Sequence, residues 1–507
     1  MIQIRHILYI YIDGGAVWKN EHPNPLGTNA LSTGIQYNYG SLVWNYGTFI
    51  MNQQAVLQNN IMDLQFPPDP SVMVEHRSAG VTNNGQFIMN GGMITNNALN
   101  AMNTGEPGGG VSCNPGDTTV GTGVSFVMNG GEICYNAATI GGGVYVGQAN
   151  FAHYTPLRAE FTMNGGKIHH NAALSYAGYG GGGVYTSTDS LFYLMDGEIS
   201  DNISYSPDDP YNGTLAVGGG ANVCGEFYMR GGNIINNKAV ADNEDTLALG
   251  GGLYVGFMGR AHITGGTITG NAAEATGTNA QALANGIYLE EYIADKEIQG
   301  DTVSSAGYLE LSNSLTIDNT KSANDVEIGI GKRAQIHIPS ALTLSKESLN
   351  IDSEITDVDT LIATFGEELS ASDYQAKFNH VQDRIEVVTS DDNTLVLAGG
   401  EAEAEYTLND IDWIQTTFKR SVAKIGSGKG TIRLLKDIET DEGTIINGDV
   451  TVIAGDSDVT FKNMKFNYAN YQARVGTPLF TVASGATLTI GATAGSKITI
   501  DGGTVWK

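Results

Sequence analysis

The chain has 507 residues, among them 67 glycines and only 12 prolines, and 26 basic against 54 acidic residues give a net charge of 26 − 54 = −28. That balance excludes nucleic acid as a partner, because phosphate binding needs a basic footprint, and it makes cations the natural counterparts. The glycine content suits tight corners where φ must turn positive.

The chain opens with an apolar run, Ile7 to Ile12, preceded by Arg5 and His6. It is too short for a secretory h-region and has no small-residue cleavage site, so it is predicted to be a strand. Ile12-Asp-Gly-Gly-Ala-Val-Trp-Lys19 returns as Ile500-Asp-Gly-Gly-Thr-Val-Trp-Lys507, identical at seven of eight positions with an offset of 505 − 17 = 488 residues. The expectation is a piece of a longer protein built from tandem units of about that size, with any signal peptide and anchor outside it.

From residue 17 to about 290 one motif recurs, seen at its fullest as Phe126-Val-Met-Asn-Gly-Gly-Glu-Ile-Cys-Tyr-Asn136 followed by Gly141-Gly-Gly-Val-Tyr-Val146. Aligned on the apolar residue three places before an asparagine, the copies centre on Val17, Val56, Ile94, Ile133, Ile168, Ile199, Ile234 and Ile268, spaced 31 to 39 residues apart. The asparagines are Asn20, Asn59, Asn97, Asn136, Asn171, Asn202, Asn237 and Asn271. Phe49, Phe87, Phe126, Phe161, Phe192 and Phe227 recur seven places before the centre in six copies. A Gly-Gly pair follows in most copies, and glycine-rich runs precede Val111, Val144, Val184, Ala221, Leu253 and Ile287.

Each copy therefore reads as strand, glycine corner, strand, asparagine turn and a third strand. Three short strands per repeat, with almost no helix-length periodicity, predict an all-β parallel β-helix, a solenoid in which each repeat is one coil. Stacked coils bury a core that a single coil cannot. Equivalent residues then stand about 4.8 Å apart, so the asparagines are predicted to form a hydrogen-bonded ladder.

The segment between each asparagine and the next glycine run varies in length. Such insertions leave one corner and often form the binding face of a repeat protein. Three of them carry Tyr176 and Tyr179; Tyr205, Asp208, Asp209 and Tyr211; and Asp242, Glu244 and Asp245. Aromatic faces beside carboxylates suit sugar rings, so these tyrosines and aspartates are the candidate ligand-binding residues.

The pattern decays into plain alternation from about 300 to 345, giving a first solenoid over 1–345. Residues 346–404 are expected to be its closing cap and a linker, with a short helix near Tyr374 to Phe378 and a charged hinge at Glu401-Ala-Glu-Ala-Glu405. In 405–507, Ile411, Ile414, Phe418, Val422 and Ile425 fall at helical spacing, with Asn409 or Asp410 as N-cap and Gly426 as the stop. A capping helix covers an open first coil. Gly430-Thr-Ile-Arg-Leu-Leu, Gly448-Asp-Val-Thr-Val-Ile and Gly485-Ala-Thr-Leu-Thr-Ile490 then begin a second, truncated β-helix.

These repeats, the Asn324-Asp-Val326 exit and the helix-capped restart resemble the right-handed parallel β-helix regions of large bacterial cell-surface and adhesin-like proteins, on the pectin-lyase-like superfold. The Gly-Gly-x-aliphatic signal is loosely similar to chlamydial polymorphic outer-membrane proteins, although their Phe-x-x-Asn motif is not regular here. The resemblance implies an exported, cell-surface, non-catalytic stalk, adhesin or matrix component. Its expected partner is carbohydrate or a neighbouring cell surface, with no cofactor, no membrane contact by this segment and a monomeric chain.

The alternative is a polysaccharide lyase or glycoside hydrolase, since fold does not fix function. Such enzymes need clustered carboxylates, and the aligned coil positions hold glycine, asparagine, threonine and tyrosine. Asp196, Glu198 and Asp201 are close in sequence, yet no basic residue recurs beside them. His169 and His170 are expected on opposite sides of a strand, unable to share a metal. Gly426-Ser-Gly-Lys-Gly430 lacks phosphate-loop spacing and reads as a helix stop. Cys113, Cys134 and Cys224 show no metal-ligand spacing and are expected as free thiols, with a Cys113–Cys134 disulfide open.

Overall fold

The structure, a computed structural model, describes residues 2–4, 9–12 and 17–19. From 41 to 501 it describes all but 64–77, 101–107, 116–122, 148–157, 176–178, 207–214, 292–295, 299–300, 304–305, 320–324, 356–358, 383–384, 392, 399–401, 410, 412, 417, 441–443, 456, 464–478 and 492–495. The chain is a parallel β-solenoid of about ten turns with almost no helix. It divides into two units, one of residues 1–354 with 363–381 and the other of 355–362 with 382–507.

One coil of the first unit shows why these residues form these elements. Val144–Val146 lies in the first sheet, Ala159–Met163 in the second, Lys167–His169 in the third and Ala172–Leu174 in a short fourth. Each pairs in parallel with its counterpart one coil on: Val144 with Val184, Phe161 with Phe192, Ile168 with Ile199 and Ala173 with Ser204. Alternation in these strands places Phe161, Met163 and Ile168 inward, all fully buried, and Thr162 and His169 outward.

Repetition turns each inward position into a column. The six phenylalanines from Phe49 to Phe227 stack with centroids 4.5 to 5.3 Å apart, and four of the five steps are within 7° of parallel. That separation is the strand spacing, so the column is a direct consequence of register. Gly-Gly makes the corner between the second and third sheets. Gly166 has φ +87°, and a Cβ there would lie 2.6 Å from the Gly131 carbonyl oxygen.

The turn after the third sheet uses a left-handed residue followed by a buried asparagine. Asn96, Tyr135, His170, Asp201 and Asn236 have φ between 53° and 57°. The next residues, Asn97, Asn136, Asn171, Asn202 and Asn237, are fully or almost fully buried. Asn171 is typical: its Nδ2 donates to Asn202 Oδ1 at 2.9 Å and to the Ile133 carbonyl at 2.9 Å, and its Oδ1 accepts from Asn136 N–H and Nδ2–H at 3.0 Å each. Both amide hydrogens and both lone pairs are used.

Asn60, and not Asn59, occupies this column in the second repeat. The strand Val56–Gln58 sets Leu57 beside Ile94, so Asn60 N–H reaches Asn97 Oδ1 at 3.1 Å and Asn59 takes the left-handed position at φ 61°. The left-handed position tolerates asparagine, so an Asn-Asn pair fits either register and the inward apolar residue decides. Asn20 lies outside the described residues. Beyond Asn271 the ladder gains Asn319, whose Oδ1 accepts Asn271 Nδ2 at 2.9 Å. It ends on fully buried Glu327, which accepts Asn319 N–H at 3.2 Å through one oxygen and binds Lys346 Nζ at 2.7 Å and Asn350 N–H at 3.0 Å through the other.

Strands continue past residue 345 in the same sheets, with Leu349–Ser353 and Phe378–His380 added to the first. Near Tyr374 the expected helix is two 3₁₀ turns, Ala371–Asp373 and Gln375–Lys377.

In the second unit, Lys429–Leu434, Asp449–Ala454 and Thr487–Gly491 stack in parallel, as do Ile438–Thr440, Val459–Asn463 and Ile498–Asp501. The helix is shorter than the spacing predicts, running from Phe418 to Ile425. Ile414–Thr416 pairs antiparallel with Ala404–Thr407, and Asn409 Oδ1 accepts Ile411 N–H at 3.0 Å, a turn that competes with helix. Phe418, Val422 and Ile425 pack into a core with Ile432, Leu434 and Phe461. Gly426, at φ 56°, stops the helix by donating to the Val422 carbonyl at 3.0 Å. Among the described residues no helix is long and apolar enough to cross a membrane.

Candidate binding face of the second sheet

The outward positions of the second sheet carry chemistry that the core columns do not. Register aligns Glu160, Leu191, Glu226, Arg260, Tyr308 and Gln335 in one column and Thr162, Tyr193, Tyr228, His262, Glu310 and His337 in the other. Six coils at about 4.8 Å give a strip roughly 24 Å long.

Its middle is a stack. Tyr193 and Tyr228 lie 5.1 Å apart at 15°, and Tyr228 and His262 4.7 Å apart at 8°. The ring faces of Tyr228 are therefore covered from both sides, and the strip offers edges and hydroxyls outward. Tyr228 OH donates to the Glu226 carboxylate, His262 Nδ1 lies 3.2 Å from Glu310 Oε2, and Thr162 Oγ1 donates to Glu160 Oε1 at 3.2 Å. The exposed Arg260 guanidinium sits 4.3 Å over the Tyr308 ring. Arg158 reaches Glu226 at 4.0 Å, a surface pair worth little energetically. A hollow of about 80 Å³ adjoins the strip, lined by Arg260, Tyr308, Arg333 and Gln335.

The electrostatics keep the phenols protonated. Burial first, then the hydrogen-bonded Glu226, pushes Tyr228 up to about 12. Tyr193 is raised by burial and by Glu160 and Glu226, and Tyr308 by burial and Glu310.

The predicted loop residues are distributed differently. Tyr179 is exposed, with its ring edge-on to Tyr185 at 6.2 Å, against the outer side of the first sheet. Tyr205 ends a fourth-sheet strand between Leu174 and Val240. Tyr176, Asp208, Asp209 and Tyr211 lie outside the described residues.

Of the acidic trio, Asp196 caps its own corner by accepting Gly197 N–H, and Asp201 holds a left-handed turn. Glu198 does have a basic neighbour: Lys167 Nζ stands 3.3 Å away, on the strand one coil earlier. Burial opposes ionisation of Glu198, but the Ser200 hydroxyl and Lys167 outweigh it and hold the carboxyl below its ordinary value.

A different carboxyl is perturbed more. At the corner after the first sheet, burial and then the charges of Glu291 and Glu354 push Glu290 up to about 7. The cysteines are free; burial pushes the Cys113 thiol, on the first sheet, up to about 12.

Compared with models of known families, with curated proteins and with solved structures, the chain matches none. What the chain itself defines is its class, a parallel β-solenoid with a polar, aromatic-stacked outer face.

Proposed function

We propose that this chain is a non-catalytic extracellular repeat protein, a stalk, adhesin or matrix component of a bacterial surface, that binds glycans along the outer face of its second sheet. The observation that carries the reading is the double column of Tyr193, Tyr228, His262 and Glu310 beside Glu226 and Arg260. It repeats hydroxyls, carboxylates and a guanidinium at about the coil rise, a spacing comparable with one hexose residue of an extended polymer. Recognition would run through hydrogen bonds to sugar hydroxyls, because the ring faces are occupied by one another. The net charge of −28 favours neutral over acidic polymers.

The test is retention of neutral and acidic polysaccharides by the full chain on affinity electrophoresis. Tyr228→Ala with Arg260→Ala should abolish retardation by the preferred polymer, whereas Tyr205→Ala should leave it intact. Equal retardation of the double variant and the unmodified chain would end this reading of the sheet face.

Glu290 favours a second reading, a glycoside hydrolase, because a largely buried carboxyl held near neutrality beside Glu291 and Glu354 is the kind of group general acid–base work requires. Shortened polymer on size-exclusion chromatography after incubation, lost in Glu290→Gln, would establish that reading in place of the first.

A further inference from the structure

The outer face of the third sheet brings together a carboxylate, a thiol and an imidazole outside the proposed glycan strip. Glu132 and Cys134 are two residues apart on one strand and so face the same side. His169 is the register partner of Cys134 one coil on. One carboxylate oxygen of Glu132, Cys134 Sγ and a ring nitrogen of His169 all lie within 4.8 Å of one another, and His169 Nε2 stands 3.3 Å from Glu132 Oε2. We propose that Glu132, Cys134 and His169 form a binding site for a borderline divalent cation of the zinc class.

The geometry supports this on three counts. Ligand atoms around a tetrahedral ion at roughly 2.0 to 2.3 Å are themselves roughly 3.3 to 3.8 Å apart, so side-chain adjustment of about 1 Å closes the triangle without moving the strands. The ring of His169 is already oriented by a second partner. Its Nδ1 lies 2.8 Å from His170 Nδ1 and its Nε2 3.3 Å from Glu132 Oε2, so with a proton on Nδ1 a cation takes the place of the proton between Nε2 and the carboxylate.

This arrangement corrects the expectation that the two histidines face apart. His170 has φ 53°, beyond the strand end, and its ring folds back beside His169. Third, the Glu132 side chain is half-exposed and borders a surface hollow of about 490 Å³ with Gln53, Asn90 and Asn129, so an ion meets this carboxylate from solvent before the buried Cys134.

The donor set selects the metal. One soft sulfur, one imidazole nitrogen and one carboxylate oxygen suit zinc and cobalt, and do not suit magnesium or calcium, which take oxygen cages. On binding, the Cys134 thiol proton leaves to solvent and the metal–sulfur bond replaces the S–H bond. Cys134 Sγ–H now donates to Thr95 Oγ1 at 3.4 Å; that hydroxyl can turn and donate to the thiolate. The same column holds Thr95 one coil before and Ser200 one coil after the pair, so thiol and imidazole coincide here.

The test uses the untagged full chain, reduced and stripped of metal, titrated with cobalt(II). One equivalent should produce visible d–d bands and a near-ultraviolet thiolate-to-cobalt band, both displaced by zinc. Cys134→Ser should abolish the thiolate band and His169→Gln should weaken cobalt binding at least about tenfold. Cys224→Ser, at a thiol in the bend after the first-sheet strand Ala221–Val223, should leave both unchanged. No thiolate band in the unmodified chain, or a band that survives in Cys134→Ser, would overturn the assignment. So would cobalt affinity equal in all variants, which is what diffuse attraction to the acidic chain gives.

Discussion

Asn171→Ala isolates what the buried ladder contributes. The substitution removes the acceptor of Asn136 N–H and of one Asn136 Nδ2–H, and takes one donor each from the Ile133 carbonyl and Asn202 Oδ1. Stranding a buried donor costs about 1–3 kcal/mol. Two donors give about 2–6 kcal/mol, the two weakened acceptors add to this, and about 1 kcal/mol returns as released side-chain entropy.

The expected net loss is about 4 kcal/mol. Asn164 is the internal control, since it sits in an exposed asparagine row, donating to Asn129 Oδ1 at 3.0 Å. Asn164→Ala should cost within about 0.5 kcal/mol. Because coils interact mainly with their neighbours, the loss should appear as faster amide exchange in peptides spanning residues 124–205 before any global change. Equal exchange in the two variants would refute the argument that the ladder is a principal local determinant of stability. Asn171→Asp, which keeps the acceptor oxygen, should be no milder at pH 7, because it loses both donors and buries a charge.

Glu327→Ala should cost about 3–5 kcal/mol, because it leaves the Lys346 ammonium without its close partner and removes the acceptor of Asn319 N–H; Glu327→Gln should cost less, and thermal unfolding ranks the two. Gly143→Ala should destabilise by well over the about 0.5 kcal/mol of an ordinary surface change, since its Cβ would lie 2.7 Å from the Gly183 carbonyl oxygen and 2.8 Å from Asn171 Nδ2. Denaturant midpoints for Gly143→Ala and for Ala substitution at Gly491, where a Cβ meets nothing within 4 Å, test this. Glu290 should make stability fall as pH rises: its folded carboxyl titrates at about 7 against 4.5 for an ordinary one, so between those values the folded state holds the extra proton. Glu290→Gln should leave stability unchanged near pH 4 and raise it at pH 8 by no more than about 3 kcal/mol, and equal pH slopes for the two proteins in urea titrations would contradict this.

The core was legible because inward positions of a solenoid obey a common rule. Phe126, Met128 and Ile133 recur as similar residues since each must fill the same space against the coil before and after it. The glycine of Gly141-Gly-Gly143 that abuts the ladder recurs for the same reason, as no Cβ fits on Asn171. The strip of Tyr193, Tyr228 and His262 was harder to see, although it occupies the alternate positions of the same strands. Outward positions share no packing constraint, so they vary in type, and only register shows that they touch.

Composition, period and the repeated asparagine were enough to determine a stacked parallel β-solenoid, with its phenylalanine and isoleucine columns and the start of a second stack, because those features rest on burial repeated once per coil. Tertiary structure alone decided matters of one residue or one bond. It chose Asn60 over Asn59, limited the helix to Phe418–Ile425, closed the ladder on Glu327 and turned His170 back onto His169. Each of these depends on which partner a group finds in the adjoining coil or after a left-handed turn. Sequence spacing carries the period of such contacts but not their direction.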